Sequence, residues 1–457
     1  MNLSVREIVA AVNGVNHAIQ HEDQCVESVE FDTRKVIENS LFVPLKGARD
    51  GHDFIPQAIE SGASLVLSER ELSEGVSYIK VEDTLVALQK LAQYFLEKVH
   101  PKVIGITGSN GKTTTKDMTE AVLSQHYKTY KTQGNYNNHI GLPYTILSMP
   151  EDTDMLVLEM GMDHKGEIEV LSNISKPDIA AITLIGESHI EYLGSRAGIA
   201  EAKMEITAGL KEDGVLIIPN DEPLLKRMII DIPQTVDTFG VGTEATLSAS
   251  ILSETKVDTQ FETNLFEGEV FSIPVLGGYN VKNALIALLI GHFFNVPVSK
   301  MKNGLATFDL TKNRTEWLKT NDGIDILSDV YNANPTAMKL VLDTFSALKL
   351  EGRKFIVLGD MLELGELSNQ MHESVAEHIS PKKIDQVYLY GEQMESLYNL
   401  LHERMPQGSI HFYRKTEKKE MMTHLSEKMQ PKDTVFLKAS NGMGLSEVVE
   451  FLLKSHE

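Results

Sequence analysis

The sequence predicts an α/β protein of three domains. These are a small N-terminal α/β domain over residues 1–99, a central phosphate-loop domain over 100–312 and a C-terminal doubly wound, Rossmann-like sheet over 313–457. Three observations predict this. A length of 457 residues suits about three domains of ordinary size, each with its own core. The stretch Gly105-Ile-Thr-Gly-Ser-Asn-Gly-Lys-Thr-Thr-Thr115 joins an apolar strand to a helical pattern, as a phosphate loop does. From about residue 313, strands and helices alternate, which implies right-handed crossovers and a parallel sheet.

In chain order, residues 1–12 read as an amphipathic helix, because Arg6 and Glu7 interrupt what would otherwise be a signal-peptide core. Short apolar runs at Leu41–Leu45, Leu65–Leu67 and Ser77–Val81 predict strands, and Thr84–Val99 predicts a helix. Pro101 marks the junction, since the residue before proline avoids helix. The runs Val103–Ile106, Met155–Glu159, Ile179–Ile185 and Val215–Ile218 suit strands buried on both faces of a parallel sheet. Alternating, glycine-broken residues Thr246–Val275 predict an antiparallel appendage, followed by a buried helix at Val281–Phe294. The last region predicts strands at Ile324–Val330, Phe355–Gly359, Val387–Tyr390 and Val435–Ala439. Its helices are expected at Pro335–Leu348, His372–Ile379, Met394–Arg404 and Leu445–Lys454.

Bulk composition excludes several classes. With 65 acidic against 43 basic residues the net charge is -22, which repels phosphate backbones, so nucleic acid is not expected as a partner. The single cysteine, Cys25, fits a reducing compartment and excludes a cysteine-based metal site; it reads as a small structural residue. The longest apolar run, Ala284–Ile290, is too short to span a bilayer. The expectation is a cytoplasmic protein without membrane insertion.

The chemistry concentrates at strand ends. In the phosphate loop, Gly108, Ser109, Asn110, Gly111, Lys112, Thr113 and Thr114 present backbone N–H groups, a helix N-terminus and a lysine charge to an anion. The strict pattern would have glycine at Ile106; here the glycines fall at 105, 108 and 111. The loop predicts a nucleoside triphosphate, with the Thr113 hydroxyl placed for magnesium. Glu159 ends the strand after the loop, where a nucleotide's metal is held, and His189 shares that sheet edge. Lys203, by spacing alone, is a surface lysine pairing with Glu201 or Glu205. Asn135, Asn137 and Asn138 offer three amides in four residues, suited either to turns or to a polar substrate. Three further polar clusters end strands of the last sheet: Asp329-Val-Tyr-Asn-Ala-Asn-Pro335, Gly359–Gly365 and Lys438-Ala-Ser440. They are expected to share a crevice, with Asn334 capping the helix that Pro335 opens.

Together these residues resemble the Mur ligases of cell-wall precursor synthesis. Gly108-Ser-Asn-Gly-Lys-Thr-Thr-Thr-Lys116 is similar to that family's loop. Gln133-Gly-Asn-Tyr-Asn-Asn138, Gly141-Leu-Pro143, Glu159-Met-Gly161 and Tyr331-Asn-Ala-Asn-Pro335 resemble its MurF-type branch. Phe31-Asp-Thr-Arg34, Leu41-Phe-Val43 and Asp50-Gly-His52 resemble a uridine-nucleotide domain of the family. The resemblance covers essentially the whole chain. It implies ATP- and Mg²⁺-dependent joining of D-alanyl-D-alanine to UDP-N-acetylmuramoyl-tripeptide through an acyl phosphate, with Lys112, His189 and Lys203 catalytic, by a monomer.

By matching positions, Thr113 and Glu159 would serve one magnesium, and His189 with a carbamylated Lys203 a second. Asn283, Arg314, Asp329, Tyr331 and Asn332 would contact ATP. Asp32, Thr33, Arg34, Asp50 and His52 would lie near the uridine diphosphate. Asn135, Asn137, Asn138, Asp360, Lys438 and Ser440 would face the remaining substrate groups. Thr33, Tyr279, Asn313 and Asn441 stand where the family more often has serine, histidine, glycine and arginine. Two other readings share some of these residues. The preceding ligase of the family would carry a different C-terminal signature, and a GTPase-like switch would need an Asn-Lys-x-Asp motif that is absent here.

Overall fold

Short runs of Val, Ile and Leu build three main sheets, one after another along the chain, and Leu3–Ser4 pairs with Cys25–Val26 in a separate two-stranded ladder. The computed structural model describes residues 1–19 and 21–456. The first sheet has five strands in the order Val15–His17, Tyr78–Lys80, Ala63–Ser68, Ser40–Phe42, Ser28–Glu30, and only its first pair is antiparallel. The helix Val5–Val12 opens on a capping box, in which Ser4 Oγ accepts the Glu7 amide and the Glu7 carboxylate accepts back from Ser4. Helix Thr84–Val99 starts on Asp83, whose carboxylate accepts from the Val86 amide. Cys25 is exposed rather than structural, because alternation in the two-residue strand Cys25–Val26 turns Val26 inward and the thiol outward.

The central sheet has nine strands. Lys102–Thr107 lies between Ile179–Ile182 and Met155–Glu159, with all three parallel. Ile104, Ile106, Leu156, Leu158 and Ile182 are fully buried, which explains their unbroken apolar pattern. The antiparallel segment extends this sheet rather than standing apart from it. Leu247–Glu254 pairs in parallel with Thr235–Val241, and only then do Thr259–Thr263 and Val270–Ile273 reverse. Phe239, Leu247, Phe261 and Phe271 share one core with the helix Gly278–Phe293, so detaching the segment would expose four large side chains. That helix also packs along Lys112–Leu123, the helix that follows the phosphate loop.

The C-terminal sheet runs Glu316–Lys319, Asp325–Asp329, Thr434–Lys438, Lys354–Gly359, Gln386–Tyr390, Ile410–Tyr413, antiparallel only at the first pair. Its two edge strands escape a reading by apolar runs because each is four residues of mixed polarity. The helix expected over 372–379 is instead Ser368–Glu373 followed by a 3₁₀ turn, Ala376–His378. Fully buried His372 anchors that corner by accepting the Met361 amide at Nε2, 3.0 Å. The three polar clusters end adjacent strands and so lie side by side. Among the described residues no helix is long and apolar enough to cross a membrane.

Candidate active site

The phosphate loop leaves the carboxyl end of Lys102–Thr107 and closes on the helix Lys112–Leu123. Two of its glycines are needed for their backbone. Gly108 has φ +146° and Gly111 φ +81°. A Cβ on Gly108 would collide with Thr183 Oγ1, and one on Gly111 would lie 2.6 Å from Asn283 Oδ1. Thr183 donates to the Asn110 carbonyl, and Ser109 Oγ accepts from Gly186 N at 2.9 Å, so the loop is braced against the neighbouring strand end. Lys112 Nζ donates to the Gly108 carbonyl at 2.8 Å. Burial lowers the pKa of Lys112, with the charge of Glu159 opposing.

A cavity of about 410 Å³ lies between this loop and the C-terminal sheet edge, lined among others by Lys112, Asn137, Glu159, His189, Arg314 and Glu363. Glu159 is 2% exposed. Asn137 Nδ2 donates to its Oε1 at 2.9 Å, while Oε2 has no hydrogen-bond partner and lies 4.0 Å from Lys116 Nζ. A buried carboxylate oxygen without a donor calls for a cation. Thr113 is buried at the start of the helix beside it. Among the described residues no three His, Cys, Asp or Glu side chains form a metal cluster by themselves.

His189 sits at φ +61°, where it starts the short helix Ile190–Leu193. Its Nδ1 is 2.6 Å from Glu363 Oε2 and 3.3 Å from Asp163 Oδ1, but off the line a ring N–H needs, so these contacts are electrostatic. Burial lowers its pKa, the Glu363 and Asp163 carboxylates oppose this, and Lys112 and Lys203 add to it. Lys203 is not the surface lysine its spacing suggests: it is 2% exposed, on the inward side of helix Arg196–Met204. Its expected partners are engaged elsewhere, Glu201 with Lys165 at 2.6 Å and Glu205 with the Gly166 amide at 2.8 Å. Burial drives its pKa well below the usual lysine range, and the Lys112 charge adds to the effect.

The C-terminal sheet supplies the opposite wall. Arg314 lies 4.0 Å over the Tyr331 ring, and Lys438 Nζ donates to the Asp329 carboxylate and to the Asn332 carbonyl at 2.9 Å. A second, smaller cavity adjoins the first, lined by Thr114, Asn283, Arg314, Asp329, Asn332 and Lys438. Asn334 caps the helix Pro335–Ala347 as expected, accepting the Ala337 amide at 2.9 Å. It also reaches the phosphate loop, which the sequence does not reveal: its Nδ2 donates to Asn110 Oδ1 and, at 2.7 Å, to Ser188 Oγ. Beside it, Thr336 donates its amide and hydroxyl to the Glu187 carboxylate at 3.0 and 2.8 Å.

Residues 26–96, 106–291 and 313–441 match, in turn, the models of the Mur ligase family catalytic domain, the Mur ligase middle domain and the Mur ligase glutamate ligase domain. The UDP-N-acetylmuramoyl-tripeptide–D-alanyl-D-alanine ligase of Bacillus subtilis (strain 168) is 44% identical over 456 residues, 99% of this chain and 98% of the relative. The chain belongs to the Mur ligase family, in its MurF branch. The ligase of the same description from Escherichia coli (strain K12) is 32% identical across 96% of each chain. Among solved structures, MurF from Acinetobacter baumannii superimposes with a TM-score of 0.90 at 27% identity, covering 99% of both chains. MurF from Thermotoga maritima, solved in complex with ADP, gives 0.83 at 29% identity over 94% of this chain and 98% of that one.

The remaining candidate residues of this Mur ligase lie at varied distances from the two cavities. Asn138 lines the first cavity, and its Oδ1 also accepts the Gly141 amide at 2.9 Å where the next helix begins; Asn135 is exposed and lines neither. Ser440 lines the first cavity, and its Oγ accepts from Leu362 N at 2.9 Å. Asp360 does not reach either cavity: it is 1% exposed and accepts the Met394 amide at 3.1 Å, and burial raises its pKa to about 6. Asp32 forms a forked ion pair with Arg34 on an exposed turn that also holds Thr33. His52 is buried with both ring nitrogens engaged, Nδ1 with Asp50 Oδ1 at 2.7 Å and Nε2 with the Glu69 amide at 3.1 Å. Glu363, two residues before the end of the Gly359–Gly365 motif, faces the first cavity without having signalled itself in sequence.

Proposed function

We propose that this chain joins D-alanyl-D-alanine to UDP-N-acetylmuramoyl-tripeptide at the expense of ATP. The observation that carries this reading is the full-length likeness to ligases of that description, taken with a cavity where Lys112, Glu159 and His189 face C-terminal-domain side chains. Residues 1–99 would hold the uridine-diphosphate end, residues 100–312 the triphosphate, and residues 313–457 the rest of ATP together with the dipeptide. ATP would lie with its phosphates on Gly108–Thr114 and its nucleoside against Asn283, Arg314, Asp329, Tyr331 and Asn332.

The chemistry has two steps. A tripeptide carboxylate oxygen attacks the γ-phosphorus, the bond to the bridging oxygen breaks, and ADP leaves. The dipeptide nitrogen then attacks the acyl carbon and phosphate leaves with the bonding pair. The incoming ammonium loses two protons in all, one of which departs on the phosphate. A carboxylate and a triphosphate repel each other, so positive charge must be fixed at the point of attack. Lys112 supplies it from the chain, held in place by the Gly108 carbonyl. Thr113 and Glu159 would hold one magnesium, and His189 with carbamylated Lys203 a second; bound there, the metal would neutralise phosphate charge. The orphaned Glu159 oxygen supports the first assignment. Carbamylation needs a neutral amine, and a lysine buried beside the Lys112 charge is disposed to be neutral.

The test measures phosphate release and ligated product with ATP and tripeptides ending in lysine or diaminopimelate, each with and without D-alanyl-D-alanine. Release matched by product and dependent on the dipeptide is expected. Release with a single amino acid in place of the dipeptide, or with water alone, defeats the reading.

A further inference from the structure

The motif Gly359-Asp-Met-Leu-Glu-Leu-Gly365 holds two acids that the fold separates. Asp360 turns into the C-terminal core, whereas Glu363 turns into the cavity of Lys112 and His189. Glu363 is held at φ +62°, a left-handed conformation that costs a non-glycine residue about 1–2 kcal/mol. Its carbonyl accepts the Glu191 amide at 3.2 Å, which pins the turn to the segment carrying His189. Strain of this kind persists where surrounding contacts impose it, and it gathers at functional sites.

The other acids lining this cavity are differently placed. Glu159 is clamped by Asn137 at the floor, beside the phosphate loop. The Glu167 carboxylate is taken up by the Asp163 amide at 2.8 Å and the His164 amide at 3.3 Å. Asp163 lies on the central-domain side. Glu363 alone among them comes from the C-terminal wall, where Ser440, Asn441 and Gly442 also line the cavity, and its side chain is 42% exposed. With ATP on the loop and the acyl group above it, this wall is the side left for the third substrate. That substrate presents an ammonium group.

On the reading proposed above, we propose that Glu363 receives the ammonium group of D-alanyl-D-alanine and places its nitrogen facing the acyl carbon. The left-handed turn aims the carboxylate, and the Glu191 contact fixes its distance from His189. Ser440 is the neighbouring polar group of the same wall.

The test compares wild type with Glu363→Gln and Glu363→Asp, using two nucleophiles at neutral pH. D-alanyl-D-alanine arrives as an ammonium; hydroxylamine is uncharged there and traps the acyl group as a hydroxamate. Glu363→Gln should raise the KM for the dipeptide about 10- to 100-fold, as expected for loss of one hydrogen bond to a charged group. The KM values for ATP and UDP-tripeptide, and hydroxamate formation, should stay within about twofold of wild type. Glu363→Asp, which keeps the charge, should recover part of the dipeptide affinity. If both nucleophiles lose rate together, or if the magnesium requirement shifts, Glu363 acts through His189 and the proposal falls. It falls equally if the dipeptide KM is unchanged. A wild-type enzyme that forms hydroxamate but no dipeptide product would refute the proposed function itself, which separates the two failures.

Discussion

Replacing Gly108 with alanine tests whether the phosphate loop works through its backbone shape. The added Cβ meets Thr183 Oγ1 and comes within 3.1 Å of the Thr183 Cβ and amide nitrogen, at a φ of +146°. The conformational penalty is about 1–3 kcal/mol, and overpacking a filled site adds about 1–3 kcal/mol. Thr183 cannot swing away freely, because its hydroxyl holds the Asn110 carbonyl inside the same loop. The loop must therefore shift, and a displacement near 1 Å at a reacting phosphate costs on the order of 10²-fold in rate. Gly108→Ala should lower kcat/KM for ATP by about that factor. Thr183→Ala alone gives up one hydrogen bond, about 1 kcal/mol. The double variant removes the Oγ1 collision while keeping the 3.1 Å approaches to Cβ and the amide nitrogen and the φ penalty, so it should be better than the sum of the singles by about 1–3 kcal/mol. ATP-dependent phosphate release, read across all four proteins, gives the cycle. Wild-type ATP kinetics in Gly108→Ala, or strictly additive losses in the double variant, would refute the argument.

Four further outcomes follow from named contacts. Lys112→Ala should cut ligation by about 10²–10³-fold with an unchanged melting temperature, since Lys112 makes a single hydrogen bond, to a loop carbonyl; more than about a tenth of wild-type rate contradicts its role. Lys203→Ala should lose most activity and regain part of it with added small carboxylate, whereas full activity in the alanine variant argues against carbamylation. His52→Ala should cost about 2–4 kcal/mol, from the lost partner of the part-buried Glu69 amide and a packing void, with the KM for UDP-tripeptide unchanged in the folded enzyme. Burial raises the Glu30 pKa to about 7 from 4.5, so its carboxyl favours folding when protonated. That contribution is complete below about pH 4.5 and lost as pH rises through about 7. Denaturant midpoints of Glu30→Gln and wild type should therefore differ in slope across that window; parallel curves would show that Glu30 does not contribute.

What the sequence by itself determined is what local physics determines. The apolar runs 103–106 and 155–159 had to be buried strands, as did the first half of 179–185, whose strand stops at Ile182, and the glycine-lysine-threonine stretch between strand and helix had to cradle an anion. Pro335 after Asn334 had to open a helix with its cap. The motif spacings also carried the family. What only the tertiary structure decided is direction and partnership. Lys203 has glutamates at surface-like spacing, but Glu201 and Glu205 bond to Lys165 and the Gly166 amide, leaving the lysine buried beside the cavity. Asp360 and Glu363 share one short motif, and a left-handed turn sends only the second into the site. His52 has a ligand-like neighbourhood in sequence, yet an amide 17 residues away consumes its free nitrogen. Asn334 reads as a cap and also reaches Asn110, 224 residues away in the phosphate loop. Periodicity records which face of an element is apolar, so burial on both faces is legible. It does not record which distant backbone amide or charge will meet a polar side chain, and that meeting decides whether the side chain serves the fold or the site.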